Sequence, residues 1–237
     1  MRVLFLLPLA LAVSCTGEPD PICTDPVEPP CVDEMILDLS LQEDVSGGAV
    51  TNTADGDGWI TNIDASAGGY AQAANNPWVY VRFTDEGAQR VDIDDEAALE
   101  SMEWHLAARR FILRLNGGTS GPSCVGGAAF LEATYESLTE VSEDQVFYTD
   151  DFYTADCTII NDSSGLPGSP QVVLAPWWSY AGCVATSDVP FLIQLDDARV
   201  LKLVVDAYYG SGQDDCNTSD VPGEQSARFM IRWAFLQ

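Results

Sequence analysis

The chain has 237 residues and a formal net charge of −27, because 37 acidic residues face only 10 Lys and Arg residues. Nucleic acids and anionic bilayers both require a basic surface, so the composition excludes both kinds of partner. Hydrophobic residues make up 46% of the chain, which is enough for a packed core. The length allows one large β domain or two small domains. His105 is the only histidine, which restricts histidine-based catalysis.

Residues 1–14 have the pattern of a secretory signal peptide. Arg2 precedes an apolar run, Val3–Val13, that is too short to span a membrane. The sequence Ala12-Val13-Ser14-Cys15 resembles a bacterial lipobox, which implies cleavage before Cys15 and lipidation of that residue. We therefore expect a location at the bacterial outer membrane or cell surface, with membrane attachment only through the lipid on Cys15. An ordinary secreted protein whose cleavage site precedes a cysteine is the alternative.

Residues 15–32 are predicted to form a disordered tether, followed by a single β domain over residues 33–237. The segment Thr16–Val32 contains five prolines, four acidic residues and no basic residue. Such a composition does not bury enough apolar surface to fold, and its prolines favour an extended chain. Function is therefore expected beyond Asp33.

Alternating apolar and polar side chains predict half-buried strands along the domain. In chain order the predicted strands are Ile36–Leu41, Trp78–Phe83, Arg110–Leu115, Gln171–Tyr180, Phe191–Leu195, Leu201–Tyr209 and Arg228–Phe235. Clusters of Gly, Asp and Asn separate them. The segment Asp94–Glu100 is predicted to be a helix of barely two turns. The predicted fold class is all-β, a single domain of two packed, mostly antiparallel sheets.

With Cys15 assigned to the lipid, six cysteines remain, an even number that predicts disulfides in an exported protein. Fifteen pairings are possible. Proximity in the sequence favours Cys23–Cys31, Cys124–Cys157 and Cys183–Cys216. A metal site is the alternative, but the chain has no C-x-x-C pair and its histidine is remote, so we predict no metal site.

No residue is predicted to be catalytic, and we expect a protein that is not an enzyme. The sequence has neither a phosphate-binding loop nor a G-x-S-x-G motif. Its many acidic residues form several pairs, and nothing singles out one pair for hydrolysis. The segment Thr53–Gly58 is a weak match to a calcium-binding loop and is better explained as a glycine-rich turn.

The segment Glu103–Gly121, with the glycine-rich return Gly126–Phe130, resembles the signature of the HmuY family of haem-binding surface lipoproteins. In that family a W-D-[IML]-A strand leads through a basic, aromatic stretch into N-G-G-x-S-G. The resemblance implies a β domain that captures haem, or a similar planar ligand, between loops at one end. It also implies an outer-membrane transporter as the partner that receives the ligand in iron acquisition.

The family ligates haem iron through histidine or methionine in loops of the C-terminal half, and this chain departs from that pattern. Its C-terminal half has no histidine, and its only methionine there, Met230, lies in a predicted strand. The corresponding loops are instead rich in aromatics: Phe147, Tyr148, Phe152, Tyr153, Trp177, Trp178 and Tyr180. Because tyrosine can ligate ferric haem, Tyr153 and Tyr180 are the predicted haem-binding residues.

Two further questions stay open at the level of sequence. Arg109, Arg110 and Arg114 either pair with surface carboxylates or bind carboxylates of a ligand, such as haem propionates. Likewise, the protein either captures haem or is a structural or adhesive envelope lipoprotein of the same fold that has lost haem ligation.

Overall fold

The computed structural model describes residues 20–161 and 172–236. The predicted signal peptide, residues 1–14, and the predicted lipidation site Cys15 lie outside the described residues. No helix within residues 20–161 and 172–236 combines the length and the hydropathy needed to cross a membrane.

Two antiparallel sheets form the body of the molecule. The larger sheet has six strands in the spatial order β1 (Val50–Asp55), β2 (Gly58–Asp64), β12 (Ser226–Phe235), β11 (Val200–Tyr209), β10 (Phe191–Gln194) and β7 (Gly126–Ala129). The smaller sheet has four strands in the order β4 (Gly87–Val91), β3 (Val79–Thr84), β5 (Leu106–Arg109) and β6 (Ile112–Leu115). Neighbouring strands run antiparallel throughout both sheets. The predicted all-β class with two main sheets is confirmed.

Short elements complete the described part of the chain. A hairpin consists of β8 (Trp178–Tyr180) and β9 (Val184–Thr186), and the three helices are α1 (Val32–Asp38), α2 (Gly69–Gln72) and α3 (Asp214–Ser219). Single 3₁₀ turns occur at Ala73–Asn75, Ala97–Glu100, Tyr135–Ser137 and Ala175–Trp177. The described residues therefore contain little helix, as predicted.

The smaller sheet is covered on both faces. Because side chains alternate along a strand, Val81 and Phe83 of β3 enter the core shared with the larger sheet. Their neighbour Tyr80 points the other way, into a second apolar cluster that includes Met35 and Leu39 at α1. The N-terminal helix therefore closes the outer face of this sheet.

Helix α1 replaces the strand that the sequence predicts at Ile36–Leu41, so that prediction is wrong. Met35 and Leu39, four residues apart, are both buried, whereas Leu37 is 76% exposed. A spacing of four brings side chains onto one face of a helix. Of the three alternating leucines that fit the period of a strand, Leu39 and Leu41 are buried but Leu37 is not, so the segment does not bury one face of a strand.

Two other predicted elements are shorter in the structure. Gln171 lies outside the described residues, and within residues 172–180 only β8 is a strand, which follows the 3₁₀ turn Ala175–Trp177. Pro176 lies in this turn and has no N–H to donate to a neighbouring strand. The helix predicted at Asp94–Glu100 is reduced to the 3₁₀ turn Ala97–Glu100, and the Asp94 side chain accepts a hydrogen bond from the Ala97 N–H at 2.8 Å.

Three disulfides cross-link the domain: Cys23–Cys124, Cys31–Cys157 and Cys183–Cys216. The first two join residues 101 and 126 positions apart in sequence, so the proximity pairing of Cys23 with Cys31 and of Cys124 with Cys157 is wrong. Proximity in sequence gave the wrong pairs because the fold brings Cys124 and Cys157 to the N-terminal segment that contains Cys23 and Cys31. The third pair is the one that the sequence favours.

Residues 20–31 lie along the domain. The Ile22 N–H donates to the Asp196 carbonyl and the Val27 N–H to the Pro122 carbonyl, both at 2.8 Å. Together with the Cys23 and Cys31 disulfides, these bonds hold the segment at four points. It has no helix or strand, as its prolines predict, but it does not lead away from the domain as a tether would. Residues 15–19 lie outside the described residues.

Candidate functional site

An aromatic groove of about 560 Å³ lies at one end of the two sheets. Three parts of the chain enclose it: the turn between β5 and β6, the β8–β9 hairpin, and the segment from the end of β11 to the start of β12. Its lining residues are Arg110, Phe111, Trp178, Tyr180, Gly182, Cys183, Val184, Tyr208, Tyr209, Pro222, Gly223 and Ser226. Five of these twelve residues are aromatic, which suits a planar apolar ligand.

The β8–β9 hairpin is fixed over the sheets by several contacts. The Trp178 ring packs on Phe111 with ring centroids 5.0 Å apart. The Val184 N–H donates to the Tyr209 hydroxyl at 3.0 Å, and the Cys183–Cys216 disulfide ties the hairpin to α3. This wall of the groove is thus held in place before any ligand arrives.

Tyr180 lies at the rim of the groove with 68% of its surface exposed. Its side chain is therefore accessible to a ligand. Tyr208, in the wall, is buried, and this burial raises the pKa of its hydroxyl to about 12. Tyr208 thus stays protonated at neutral pH.

Tyr153, the other predicted haem-binding residue, lies elsewhere. It is buried in the second apolar cluster, and its hydroxyl donates to the Glu34 carbonyl at 3.2 Å. Burial, reinforced by the nearby acidic side chain of Asp38, raises its pKa above the ordinary value. Neither the aromatic groove nor any buried cluster of the described residues contains both Tyr153 and Tyr180.

The remaining aromatics of the two predicted loops do not line the groove. Phe152 is fully buried in the second cluster and Trp177 in the main core, below Trp178. Tyr148 is 64% exposed, but it lies beside β7, where its backbone pairs with Gly127. Of the seven predicted loop aromatics, Trp178 and Tyr180 therefore belong to the groove.

The three clustered arginines have separate environments. The Arg109 guanidinium lies 4.5 Å from the Trp78 ring centroid and donates to the Leu39 and Ser40 carbonyls. Arg114 is fully buried and donates to the Ser120 carbonyl at 3.0 Å and to the Tyr80 hydroxyl at 2.7 Å. Both side chains bind the protein itself, next to the second cluster.

Arg110 alone of the three lines the groove. It is 9% exposed, and its guanidinium donates to the Ser226 carbonyl at 3.4 Å and to the Ser226 hydroxyl at 3.1 Å. Arg109 pairs with Ile112 across the hairpin, so Arg110 and Phe111 form a two-residue turn. Arg110 adopts a φ of 55° at the first turn position, a left-handed conformation that costs a non-glycine residue about 1–2 kcal/mol.

The remaining potential metal ligands and the histidine contact other groups of the protein. Cys31, Glu34 and Cys157 are the one group of potential metal ligands close together in the described residues, and both sulfurs belong to a disulfide. His105 is fully buried, and its Nε2 lies 3.2 Å from Oδ1 of Asp196.

The sequence missed several wall residues, notably Tyr208, Tyr209, Pro222 and Gly223. Tyr208 and Tyr209 end a predicted strand and appear as ordinary strand residues. One signal was available: the predicted Cys183–Cys216 disulfide already brings the two chain segments that flank the groove close together.

The model of the HmuY protein family matches residues 74–219 of this chain. No curated protein sequence matches this chain. In structure the chain is similar to a candidate HmuY-like haem-binding protein of Bacteroides vulgatus, with 17% identity, a TM-score of 0.46, and coverage of 78% of this chain and 95% of that chain. A candidate lipoprotein of Bacteroides fragilis has 15% identity, a TM-score of 0.43, and coverage of 76% and 93%. The apo HmuY analogue of Tannerella forsythia has 15% identity, a TM-score of 0.40, and coverage of 82% and 99%.

Proposed function

Because the chain belongs to the HmuY family, we propose that it is a cell-envelope lipoprotein that captures haem, or a similar planar ligand, without transforming it. The ligand is held in the aromatic groove between the β8–β9 hairpin and the end of β11. Lipidation at Cys15 attaches the protein to the bacterial outer membrane or cell surface. An outer-membrane transporter receives the ligand.

The observation that carries this proposal is the wall of the groove. Phe111 and Trp178 are packed against each other beside the opening, and Tyr180 is exposed at its rim. Flat aromatic side chains gain dispersion energy and buried apolar area when a planar ligand lies on them. Such a groove is suited to binding, and the described residues around it do not include a nucleophile paired with a base.

The groove residues fit haem in two respects. The Tyr180 hydroxyl supplies the type of oxygen ligand that ferric haem accepts, and it is accessible. The Arg110 guanidinium supplies a cation inside the groove. Haem, when bound, would supply the iron that Tyr180 ligates; the chain itself supplies the aromatic wall and keeps water from that side.

A titration of the purified, oxidised chain with ferric haem, followed in the Soret band, tests the proposal. We expect a saturable one-to-one spectral change that Tyr180→Phe alters. Tyr148→Phe is the matched control, because Tyr148 is similarly exposed but lies outside the groove. Loss of the change in Tyr148→Phe alone would move the site to the loop beside β7.

Tyr153→Phe extends the test to the second tyrosine that the sequence favours. Because the Tyr153 hydroxyl is buried against the Glu34 carbonyl, we expect the variant to lose stability while its haem spectrum stays that of the parent. An altered haem spectrum would instead make Tyr153 a ligand in a rearranged state.

The second candidate is a structural or adhesive envelope protein of the same fold without haem ligation. The absence of histidine from the C-terminal half favours it, as does the position of Met230 inside β12. A Soret spectrum identical to that of free haem at every protein concentration would support this candidate.

A further inference from the structure

We propose that the ligand of the aromatic groove carries a carboxylate, and that Arg110 is the residue that binds it. The class of ligand is a planar conjugated molecule with at least one acidic group. This inference rests on the proposal that the groove is a binding site, and it goes further by assigning the residue that decides which planar molecules are retained.

Arg110 lacks a counter-ion among the described residues. Arg110 is largely buried, and within residues 20–161 and 172–236 its guanidinium donates only to the Ser226 carbonyl and hydroxyl, both uncharged acceptors. Among the described residues, no carboxylate lies within 4.0 Å of it, although ion pairs form elsewhere, for example Arg228–Asp64 and Arg232–Asp206. A buried cation without a counter-ion is costly, and a bound carboxylate would remove that cost.

The composition of the chain makes the missing counter-ion of Arg110 more informative. The chain has 37 acidic residues and 10 Lys and Arg residues, so carboxylates are abundant and cations are scarce. Most exposed arginines of such a surface meet an acid by chance. Arg110 is largely buried, faces the groove and has no carboxylate of the described residues beside it. It is therefore suited to bind a carboxylate of a ligand.

Arg110 also occupies an unusual position for an arginine, the first position of the β5–β6 turn. Its φ of 55° belongs to the region that glycine occupies without strain. The turn would therefore form more easily with glycine, and the turn does not explain an arginine there. Residues held in such conformations cluster at ligand sites.

Aromatic side chains lie next to Arg110 in the groove. Arg110 is followed directly by Phe111, whose ring packs on Trp178, so the cation lies beside an aromatic wall. An arginine binds a carboxylate through two parallel N–H···O bonds, which fixes the orientation of the ligand as well as its charge. A planar acid can thus stack on the wall and meet the guanidinium at the same time.

Two pairs of probes test the inference: ferric haem with its dimethyl ester, and anthracene-2-carboxylate with its amide. Each pair shares its planar skeleton and differs in the acid. Binding is followed by quenching of tryptophan fluorescence, and for the haem pair also in the Soret band. We expect the parent chain to bind the acid of each pair about 10- to 100-fold more tightly than its neutral partner, the range of a charge-assisted hydrogen-bond pair.

The informative variant is Arg110→Gly, because glycine fits the turn and the fold should be retained. We expect its melting temperature to equal or exceed that of the parent, and its affinity for acid and neutral probe to become equal. Arg110→Gln is a second variant with the same expectation for binding. Arg228→Gln is the control, since Arg228 is exposed and paired with Asp64 on another surface; it should keep the parent's preference.

The possible outcomes separate this inference from the proposed function. Preference for the acid in the anthracene pair, without haem binding, would support the role of Arg110 and refute haem capture. Equal affinity for acid and neutral probe in the parent chain would overturn the inference even if haem binds. A preference that Arg110→Gly leaves unchanged, or no binding of any probe, would also overturn it.

Discussion

His105 and Asp196 are in close contact where the two sheets meet, with Nε2 of the histidine 3.2 Å from Oδ1 of the aspartate. His105 directly precedes β5 of the smaller sheet, and Asp196 lies in the turn between β10 and β11 of the larger sheet. The Phe83 N–H donates to Nδ1 of His105 at 3.1 Å, so the proton of the neutral ring is on Nε2 and faces Asp196. Nε2 of His105 and Oδ1 of Asp196 have no other hydrogen-bond partner among the described residues.

Burial lowers the pKa of His105 below its ordinary value. Below about pH 6.5 the unfolded chain therefore binds a proton that the folded chain does not, so His105 costs stability as the pH falls. We predict that His105→Gln reduces the loss of stability between pH 7.5 and pH 5. Urea unfolding of parent and variant at both pH values measures this. Above pH 7.5 the unfolding free energies of parent and variant should change in parallel. Equal losses of unfolding free energy in both proteins between pH 7.5 and pH 5 would contradict the prediction.

Asp150 should have the opposite pH dependence. Its two carboxylate oxygens accept hydrogen bonds from the Leu115 N–H at 2.7 Å and the Val173 N–H at 2.8 Å. Burial raises the pKa of Asp150 to about 7. The folded chain then binds a proton that the unfolded chain has lost, so the stability that this group provides at low pH declines as the pH rises toward 7.

We predict that Asp150→Asn costs about 1–3 kcal/mol at pH 4.5, because the amide replaces one acceptor with a donor. The difference from the parent should narrow at pH 7.5, where the parent has lost the contribution of the protonated acid. Urea unfolding at the two pH values checks this. A difference that widens with rising pH would show that Asp150 is stabilising as an anion.

Tyr80 links two buried charged groups. Its hydroxyl accepts a hydrogen bond from Arg114 at 2.7 Å and donates one to Asp95 at 3.1 Å. Tyr80→Phe leaves both partners buried with one bond fewer, so we predict a loss of about 1–3 kcal/mol of unfolding free energy. Tyr135→Phe is the control, because the Tyr135 hydroxyl has no hydrogen-bond partner among the described residues; we expect a change below about 0.5 kcal/mol. Similar losses in both variants would refute the linking role.

Two of the disulfides should differ in their effects on ligand binding and on stability. Removing Cys183–Cys216 by a double serine substitution frees the hairpin that forms a wall of the groove, so we expect weaker binding of planar ligands and a lower melting temperature. Removing Cys31–Cys157 should lower stability by about 2–5 kcal/mol, the usual range for a native disulfide, and leave binding unchanged. Thermal unfolding and fluorescence titration of both double variants measure the two effects. Equal binding by the two would contradict this assignment.

Five strands of the two sheets, β3, β6, β10, β11 and β12, could be predicted because their apolar side chains recur in a regular pattern. Strands β1, β2, β4 and β7 were not predicted, and β1 carries no such signal because its side chains are almost all exposed. Val200–Tyr209 and Ser226–Phe235 lie close to their predicted bounds. The segment Ile36–Leu41 was misleading because Leu39 packs together with Met35, one helical turn earlier, against the outer face of the smaller sheet. Local periodicity does not reveal which surface a segment will meet.

The candidate site was only partly predictable. Tyr180 and Arg110 were both named from the sequence, and the groove contains both. Sequence alone does not distinguish Arg110 from Arg109 and Arg114, since their roles depend on contacts with Ser226, Leu39 and Tyr80. The same limit applies to the cysteines: Cys124 pairs with Cys23 and Cys157 pairs with Cys31, each across more than a hundred positions, which no local rule reveals.

The attachment of Ile22 and Cys23 has a consequence for the orientation of the molecule. The Ile22 N–H bonds to the Asp196 carbonyl in the turn that precedes β11, whereas the groove begins where β11 ends, at Tyr208 and Tyr209. A strand of this length spans about 30 Å. The described chain therefore begins at the end of the domain opposite the aromatic opening. With the lipid anchor that we propose at Cys15, this arrangement would direct the opening away from the membrane.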